Sequence, residues 1–508
     1  MSVIYGKVVS LIISERFGPV VEKIVSFLFK CQCSPLLYIK RGTELPLSKI
    51  KESLCVLIKY RLVNFKPNKN ENLANYSLNV ENVLLMLRYP YYLNHAKKLF
   101  GDQSEMIIEE VLQKGFCSAS ELIIKVFDKL CNNEERSLTL SQVKEKLVYL
   151  VTAKYLTRVP YAKEDKPVPL LTVDEKELTS LPNIDIKTLV MHRKDNSVEL
   201  PDKNIYWTVN FDRFHQDMRD KIIVAAFNKK FDENAGEIIK IFLRQMYIRT
   251  DPWADVSNPV PALEVKDILR KQISASHSLA FFDQYINIIS QETSSLLRKA
   301  GEASGGSYQI FLKEAFTQFA WELVEQIVLE KYDSKAARIF RLVKLKPYIE
   351  PDQLQQLAMI PAKDAKKLSY QLYEDNFLHI QELRKASANN GPVKNFTLFH
   401  IKLESVVRML LETCYKTLFN TMTRCNHEKL QNKRIIDKKH RIDTILMGMK
   451  AQNATEEQMA DIEDMITLPE KEILENISRI IKKFNTVELE IDQTIFMLQM
   501  FLVYQKVN

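Results

Sequence analysis

The chain has 508 residues, 46% hydrophobic and 27% charged, with a formal net charge of +8, a length that fits three or four domains with ample core material. Only 11 residues are glycine, against an average share of about 7%, and neither G-x-G-x-x-G nor G-x-x-x-x-G-K-[ST] occurs. Phosphate-cradling loops need glycine for close backbone approach and positive φ, so a nucleotide-driven machine or a Rossmann enzyme is disfavoured; Gly301, Gly305 and Gly306 lack the lysine and read as a turn.

At the start of the chain Lys7, the apolar run Val8 to Ile13, then Glu15 and Arg16 read as an amphipathic helix rather than a signal peptide. The longest charge-free apolar run, Gln493 to Gln505, is shorter than the roughly 18–20 residues that span a bilayer. The seven cysteines are scattered and odd in number, the usage of a reducing cytosol or nucleus. Cys31 and Cys33, with Cys55 the nearest third thiol, have no second ligand pair at zinc spacing, and they read as structural thiols. No metal, no cofactor and no catalytic residue is expected; His215, within Phe211-Asp-Arg-Phe-His215, reads as a helix-face residue.

From Leu47 the residues Ile50, Leu54, Leu57, Ile58, Leu62 and Val63 mark one face of an amphipathic helix that runs into a strand. A polar turn from Pro67 to Asn72 and the strand ANYSLN follow, with helices upstream over Val8 to Lys30 and around Leu36 to Lys40. Helices followed by a recognition helix and a β-hairpin are the order of a winged helix, a helix-turn-helix variant. The spacing recurs at Val143, Leu147, Leu150, Val151, Tyr155 and Leu156, after helical stretches at Glu105 to Lys114 and Ala119 to Leu130. Pro160 to about Asn204 reads as a linker with one strand, Leu170 to Val173. A third, looser copy runs through Phe282, Ile286 and Ile289 to Leu296-Leu297, with a strand from Tyr308 to Leu312. The fourth has Ala365, Leu372, Tyr373, Phe377 and Leu378, broken by Ser369, and a hairpin turning at Asn389-Asn390-Gly391.

After His400 strand signals stop. Leu403, Val407, Leu410 and Cys414 begin a long helix, and Thr455-x-x-Gln458 and Thr467-x-Pro469-Glu470 read as capping boxes. A heptad seam is expected at Ile477, Ile480, Phe484, Val487, Ile491, Thr494, Leu498 and Phe501. Basic residues over 429–441 and acidic ones over 456–475 suit an antiparallel fold-back, each exposed pair contributing only about 0.2–1 kcal/mol. The wide apolar end from Phe496 to Leu502 suggests burial against a partner. The expected fold is mainly α with small β-hairpins: four tandem winged-helix domains followed by a C-terminal helical coiled-coil hairpin. The boundaries are 1–80, 81–160, a linker 161–204, then 205–312, 313–401 and the helical region 402–508.

Basicity is local. Residues 40–71 carry eight basic side chains and three acidic, and 335–346 carry five basic and no acid. Such patches bind phosphate through counterion release, and the candidate nucleic-acid contacts are Lys49, Lys51, Lys59, Arg61, Lys66, Lys363, Lys366 and Lys367. Base-reading side chains are few on these helices, so backbone positioning is expected rather than sequence readout. Many winged helices bind only protein, and an architectural scaffold without DNA contact stays open.

Met86-Leu-Arg-Tyr-Pro90, Ile205-Tyr-Trp207, Asn210-Phe-Asp-Arg-Phe-His-Gln216, Ala337-Arg-Ile-Phe-Arg-Leu342, Met359-Ile-Pro-Ala-Lys-Asp-Ala-Lys366 and Glu374-Asp-Asn-Phe377 occur in this order. Together they resemble the winged-helix subunit of eukaryotic RNA polymerase III, the largest member of its initiation heterotrimer and a relative of the alpha subunit of TFIIE. The resemblance covers essentially the whole chain, although the stretch before Ile205 is shorter and less basic than in many relatives. It implies a nuclear, non-catalytic subunit bound to the polymerase III core at its clamp with two companion subunits. It also implies a role in recruitment through TFIIIB and in opening promoter DNA for small RNAs such as tRNA and 5S rRNA.

Overall fold

Ile50, Leu54 and Leu57 line the inner face of helix Leu47–Lys59 in the computed structural model, each at most 3% exposed. They are buried together with Ile24, Val25 and Leu28 of helix Pro19–Cys31 and Ile39 of helix Leu36–Thr43. The structure describes residues 2–68, 73–133, 139–163, 167–172, 177–194, 200–202, 204–271, 280–291, 296–302, 306–385, 394–451, 458, 462 and 465–506. The turn residues 69–72 and 389–391 and the capping box at Thr455 therefore lie outside the described residues. Contacts divide the chain into two units, residues 1–219 with 422–477, and residues 220–421 with 478–508.

In the first unit, the opening module follows the winged-helix order. Gly18, at φ 87, separates helices Val3–Phe17 and Pro19–Cys31. Strands Cys33–Pro35, Ala74–Leu78 and Val63–Pro67 form an antiparallel sheet in that order, with Cys33 opposite Ser77 and Phe65 opposite Tyr76. The second module repeats it with helices Asp102–Lys114, Ala119–Asn133 and Leu140–Thr152. Its sheet corrects the expected boundaries. Strand Tyr206–Val209 lies between Cys117–Ser118 and Leu156–Arg158 and pairs with both, Trp207 opposite Cys117 and Arg158. The segment expected to be a linker is thus a wing insertion, and the second module closes at Val209 rather than at residue 160. Trp207, wholly buried, is the reason: its side chain completes that core. Inside the insertion Leu170–Thr172 pairs with Tyr161–Lys163, and a helix spans Ile186–Lys194.

The second unit holds the other two modules. The third has helices Glu233–Arg249, Ala262–Lys271 and Phe282–Gln291 and strands Val260–Pro261, Leu297–Gly301 and Ser307–Ile310. The expected strand end at Leu312 instead opens helix Leu312–Lys331. The fourth has helices Ser334–Leu345, Pro351–Ala358 and Ala362–Glu374 and the hairpin His379–Lys385 with Lys394–His400. A bridge from Ile349 to Phe399 supplies its third strand position. Ser369 sits on the inner face because its hydroxyl donates to the Ala365 carbonyl at 2.7 Å, so the serine is buried with its hydrogen bond made.

One backbone device recurs. Arg61, Lys154 and Asn376 hold left-handed φ values of 58°, 63° and 61° just after their recognition helices. The amides of Leu62, Tyr155 and Phe377 then donate to the carbonyls of Leu57, Leu150 and Leu372 at 2.8–2.9 Å, closing the 6→1 bond of a Schellman cap. The turn drops the next two residues straight into the core: Leu62-Val63, Tyr155-Leu156 and Phe377-Leu378 are each at most 3% exposed. That burial offsets the roughly 1–2 kcal/mol cost of left-handed backbone at a residue other than glycine. The turns before the recognition helices match as well, Glu44-Leu45-Pro46 and Met359-Ile360-Pro361, with the first residue left-handed and proline extended ahead of the helix.

Beyond His400 come helices Leu403–Gln431, Lys433–Ala451 and Leu468–Lys506. Lys438 pairs with Glu470 at 2.7 Å, which fits the antiparallel fold-back, and Glu470 also accepts the Thr467 amide at 3.0 Å. The expected seam is half in phase. Ile477 and Leu498 are buried and Phe484 and Ile491 half-buried, but Ile480 and Val487 are exposed and Ile495, not Thr494, is buried at 1%. The apolar end is buried against its own chain rather than a partner: Tyr504 stacks on Phe316 at 5.5 Å, and Gln499 donates to the Tyr415 hydroxyl at 3.2 Å.

Candidate nucleic-acid interface

A winged helix presents the outer face of its last helix and its wing, so the question for each module is which charges remain free there. In the first, Lys49 and Lys51 project from the recognition helix and Lys66 from the wing strand; all three are exposed and have no ion-pair partner among the described residues. Lys40 and Arg41, on the preceding helix, are exposed too. Lys59 is exposed as well, but its ammonium is turned toward the second module and lies 5.7 Å from the Phe116 ring. Gly115 explains the close approach: a Cβ there would come within 2.8 Å of the Lys59 carbonyl oxygen. Arg61 is half-buried at the left-handed turn, its guanidinium pKa lowered by burial.

In the fourth module Lys363, Lys366 and Lys367 are exposed and share the outer face of their helix with the half-exposed Tyr370 and Tyr373. The neighbouring basic run over 335–346 is largely spent inside the unit. Lys335 pairs with Asp364 at 3.0 Å, Arg338 donates to the Ala358 carbonyl at 3.2 Å, Arg341 pairs with Glu325, and Lys344 covers Trp321 at 5.3 Å.

The middle modules differ. On helix Leu140–Thr152, Lys144 donates to the Ile184 carbonyl at 2.7 Å and Lys146 to that of Phe100 at 3.1 Å. Helix Phe282–Gln291 carries no basic residue, and its Asp283 pairs with Lys266 at 2.8 Å. Among the described residues no group of three His, Cys, Asp or Glu side chains could hold a metal, and no helix is long and apolar enough to cross a membrane. Cys31, Cys33 and Cys55 are exposed free thiols rather than buried ones.

The sequence motifs turn out to be joints. Arg16 donates to the Met86 carbonyl at 3.2 Å and covers the Tyr89 ring at 5.7 Å, while Arg88 is buried. His215, expected on a helix face, is largely buried and hydrogen-bonded to the Tyr92 hydroxyl at 2.9 Å; burial and nearby Arg88 push its pKa down to about 3. Two residues on, Asp217 accepts from His95 at 2.9 Å and from the Tyr155 hydroxyl, and pairs with Arg213 at 3.3 Å. Burial pushes its carboxyl up, but the His95 bond, the Arg213 charge and the Tyr155 bond together hold it below the usual range. Asp217, Tyr92 and His95 were not singled out by sequence reasoning, and Tyr155 entered it only as a core position of the second module; Asp217, next to the motif ending at Gln216, was the one available hint.

Four family models match in chain order. The RNA polymerase III subunit RPC82 helix-turn-helix domain covers residues 7–68 and RNA polymerase III subunit RPC82 covers 103–319. The POLR3C C-terminal winged-helix domain covers 324–401, and the helical hairpin domain of DNA-directed RNA polymerase III subunit RPC3 covers 434–497. DNA-directed RNA polymerase III subunit RPC3 of Bos taurus is 34% identical over 98% of both chains, that of Homo sapiens 33% over 98% of both, and that of Danio rerio 32% over 97% of both. The chain belongs to the RPC3 family of RNA polymerase III subunits. The RPC82 match runs unbroken through 161–204, as it must if that segment lies inside a wing. As an RPC3-family subunit, the chain associates with RNA polymerase III.

Proposed function

We propose that this RPC3-family subunit acts in transcription initiation, without catalytic chemistry of its own, by holding promoter DNA on the polymerase through phosphate contacts. The observation that carries the reading is the set of free, exposed lysines on the outer surfaces of the first and fourth modules, Lys49, Lys51 and Lys66, then Lys363, Lys366 and Lys367. Lysine point charges without bidentate base readers suit sequence-independent binding, and Tyr370 and Tyr373 beside the second group suit stacking on bases of an opened strand. Lys59 and Arg61 act instead in packing. The second and third modules, with no free cation on their recognition helices, serve as docking bodies for the polymerase core at its clamp, the two companion subunits and TFIIIB. The site of action is the nucleus, and the products are small RNAs such as tRNA and 5S rRNA.

The test is charge reversal to Glu at all six lysines, assembled into the whole polymerase. Loss of promoter opening with subunit composition intact is the expected result. Unchanged opening would leave a purely architectural role for all four modules.

A further inference from the structure

A wing normally projects from its sheet, yet the wing of the second module folds back. Arg193, on the inserted helix Ile186–Lys194, pairs with Asp128 at 2.8 Å and covers Phe127 at 5.0 Å, both on helix Ala119–Asn133. Asp202, wholly buried, accepts the Ser120 amide at 2.7 Å and caps the start of the same helix. Ile184 and Leu189 are at most 1% exposed, and the Ile184 carbonyl takes the ammonium of Lys144, in the first turns of the recognition helix. In a helix-turn-helix the first of these two helices crosses the phosphate backbone, and the N-terminal residues of the second reach the bases. The insertion is tied to both.

We infer that residues 177–194, together with Asp202, are an intramolecular occupant of the nucleic-acid face of the second module, a strap that keeps this winged helix off DNA. The strap takes the Lys144 charge out of circulation and lays an apolar underside, with Ile184 and Leu189, where a duplex backbone would run. What the helix still exposes, Gln142, Glu145, Val148, Tyr149 and Thr152, carries no positive charge. This inference does not depend on DNA contact by the first module.

The experiment uses the full chain carrying Lys49→Glu, Lys51→Glu and Lys66→Glu, so that binding by the first module contributes nothing. Into it go Arg193→Ala with Asp202→Ala, which remove both anchors. A second version replaces residues 164–198 with a short glycine–serine turn and leaves Asp202 to cap its helix, guarding against failure of the first to fold. Binding of a random-sequence duplex is followed from 50 to 200 mM salt, with amide hydrogen exchange over 119–152 reporting exposure. Release is expected to raise affinity about threefold to tenfold at the low-salt end and to steepen the log–log salt dependence by about 0.9 for one new phosphate contact. Adding Lys144→Glu should cancel both gains. Exposure of 119–152 without a rise in affinity overturns the inference, as does a rise that survives Lys144→Glu.

Discussion

Within helix Phe211–Lys230 a single imidazole ties acidity to stability. His215 is held neutral in the fold, its pKa near 3 against about 6.5 for an unfolded chain. Below pH 6.5 the unfolded chain therefore binds a proton that the folded one refuses, so stability is lost as pH falls from 6.5 toward 3. Urea unfolding followed through the first unit should show about 2 kcal/mol less stability at pH 5 than at pH 7 from this residue alone. His215→Gln, which can keep a hydrogen bond to Tyr92, should flatten that limb. Asp217 acts in the same direction but lower, since its depressed carboxyl gives up its contribution only below the ordinary carboxylate range. A variant whose acid limb matches the parent would remove His215 from this account. Residue by residue, the chain displayed its motifs but not their use. Arg88, His215 and Asp217 make sense only once Tyr92, Tyr155 and helix Phe211–Lys230 are folded together, and no local pattern brings those segments together.

Elements were easier to read than their phase. Helix-then-hairpin order was legible four times because the core residues of a recognition helix and its following strand are contiguous, as in Leu57 to Val63. The strand closing the second module was not, since the whole insertion separates Arg158 from its partner Trp207. On the last helix the doublet Ile480-Ile481 admits two seams, each with a period of seven residues. One continues to Val487 and Thr494, the other to Glu488 and Ile495, and a charged glutamate at a seam position disfavours the latter on polarity alone. Burial nonetheless selects the seam through Ile495, which is 1% exposed, whereas Ile480 is 37% and Val487 40%. Ile495→Ala should therefore cost about 2–4 kcal/mol, the range for truncating a fully packed aliphatic side chain. Ile480→Ala and Val487→Ala, read by the same thermal unfolding, should each stay near 0.5 kcal/mol as surface changes do. The reverse ranking would put the seam back where the heptad count had it.

At the scale of the molecule, one fold is used four times with four different outer faces: free lysines, a strapped-down helix, a helix without basic residues, and lysines beside tyrosines. Composition could not reveal this division, because a sequence counts charges without saying which ones face another chain segment. Of the eight basic residues that the sequence marks as candidate contacts, seven are exposed and Arg61 is half-buried; of the seven, Lys59 has its ammonium turned to the Phe116 ring. The difference is measurable as ion release. For an isolated chain binding duplex DNA, each lysine that neutralises a phosphate adds about 0.9 to the slope of log affinity against log salt. Replacing Lys49, Lys51 and Lys66 with alanine should lower the slope by up to about 2.7 in this scheme, and by a similar amount whatever the duplex sequence. Lys59→Ala should leave the slope alone while loosening the packing between the first two modules. If Lys59→Ala took as much from the slope as Lys51→Ala, the contact with Phe116 would have to open on binding, and the first module would approach DNA along the end of its recognition helix rather than along its start and its wing.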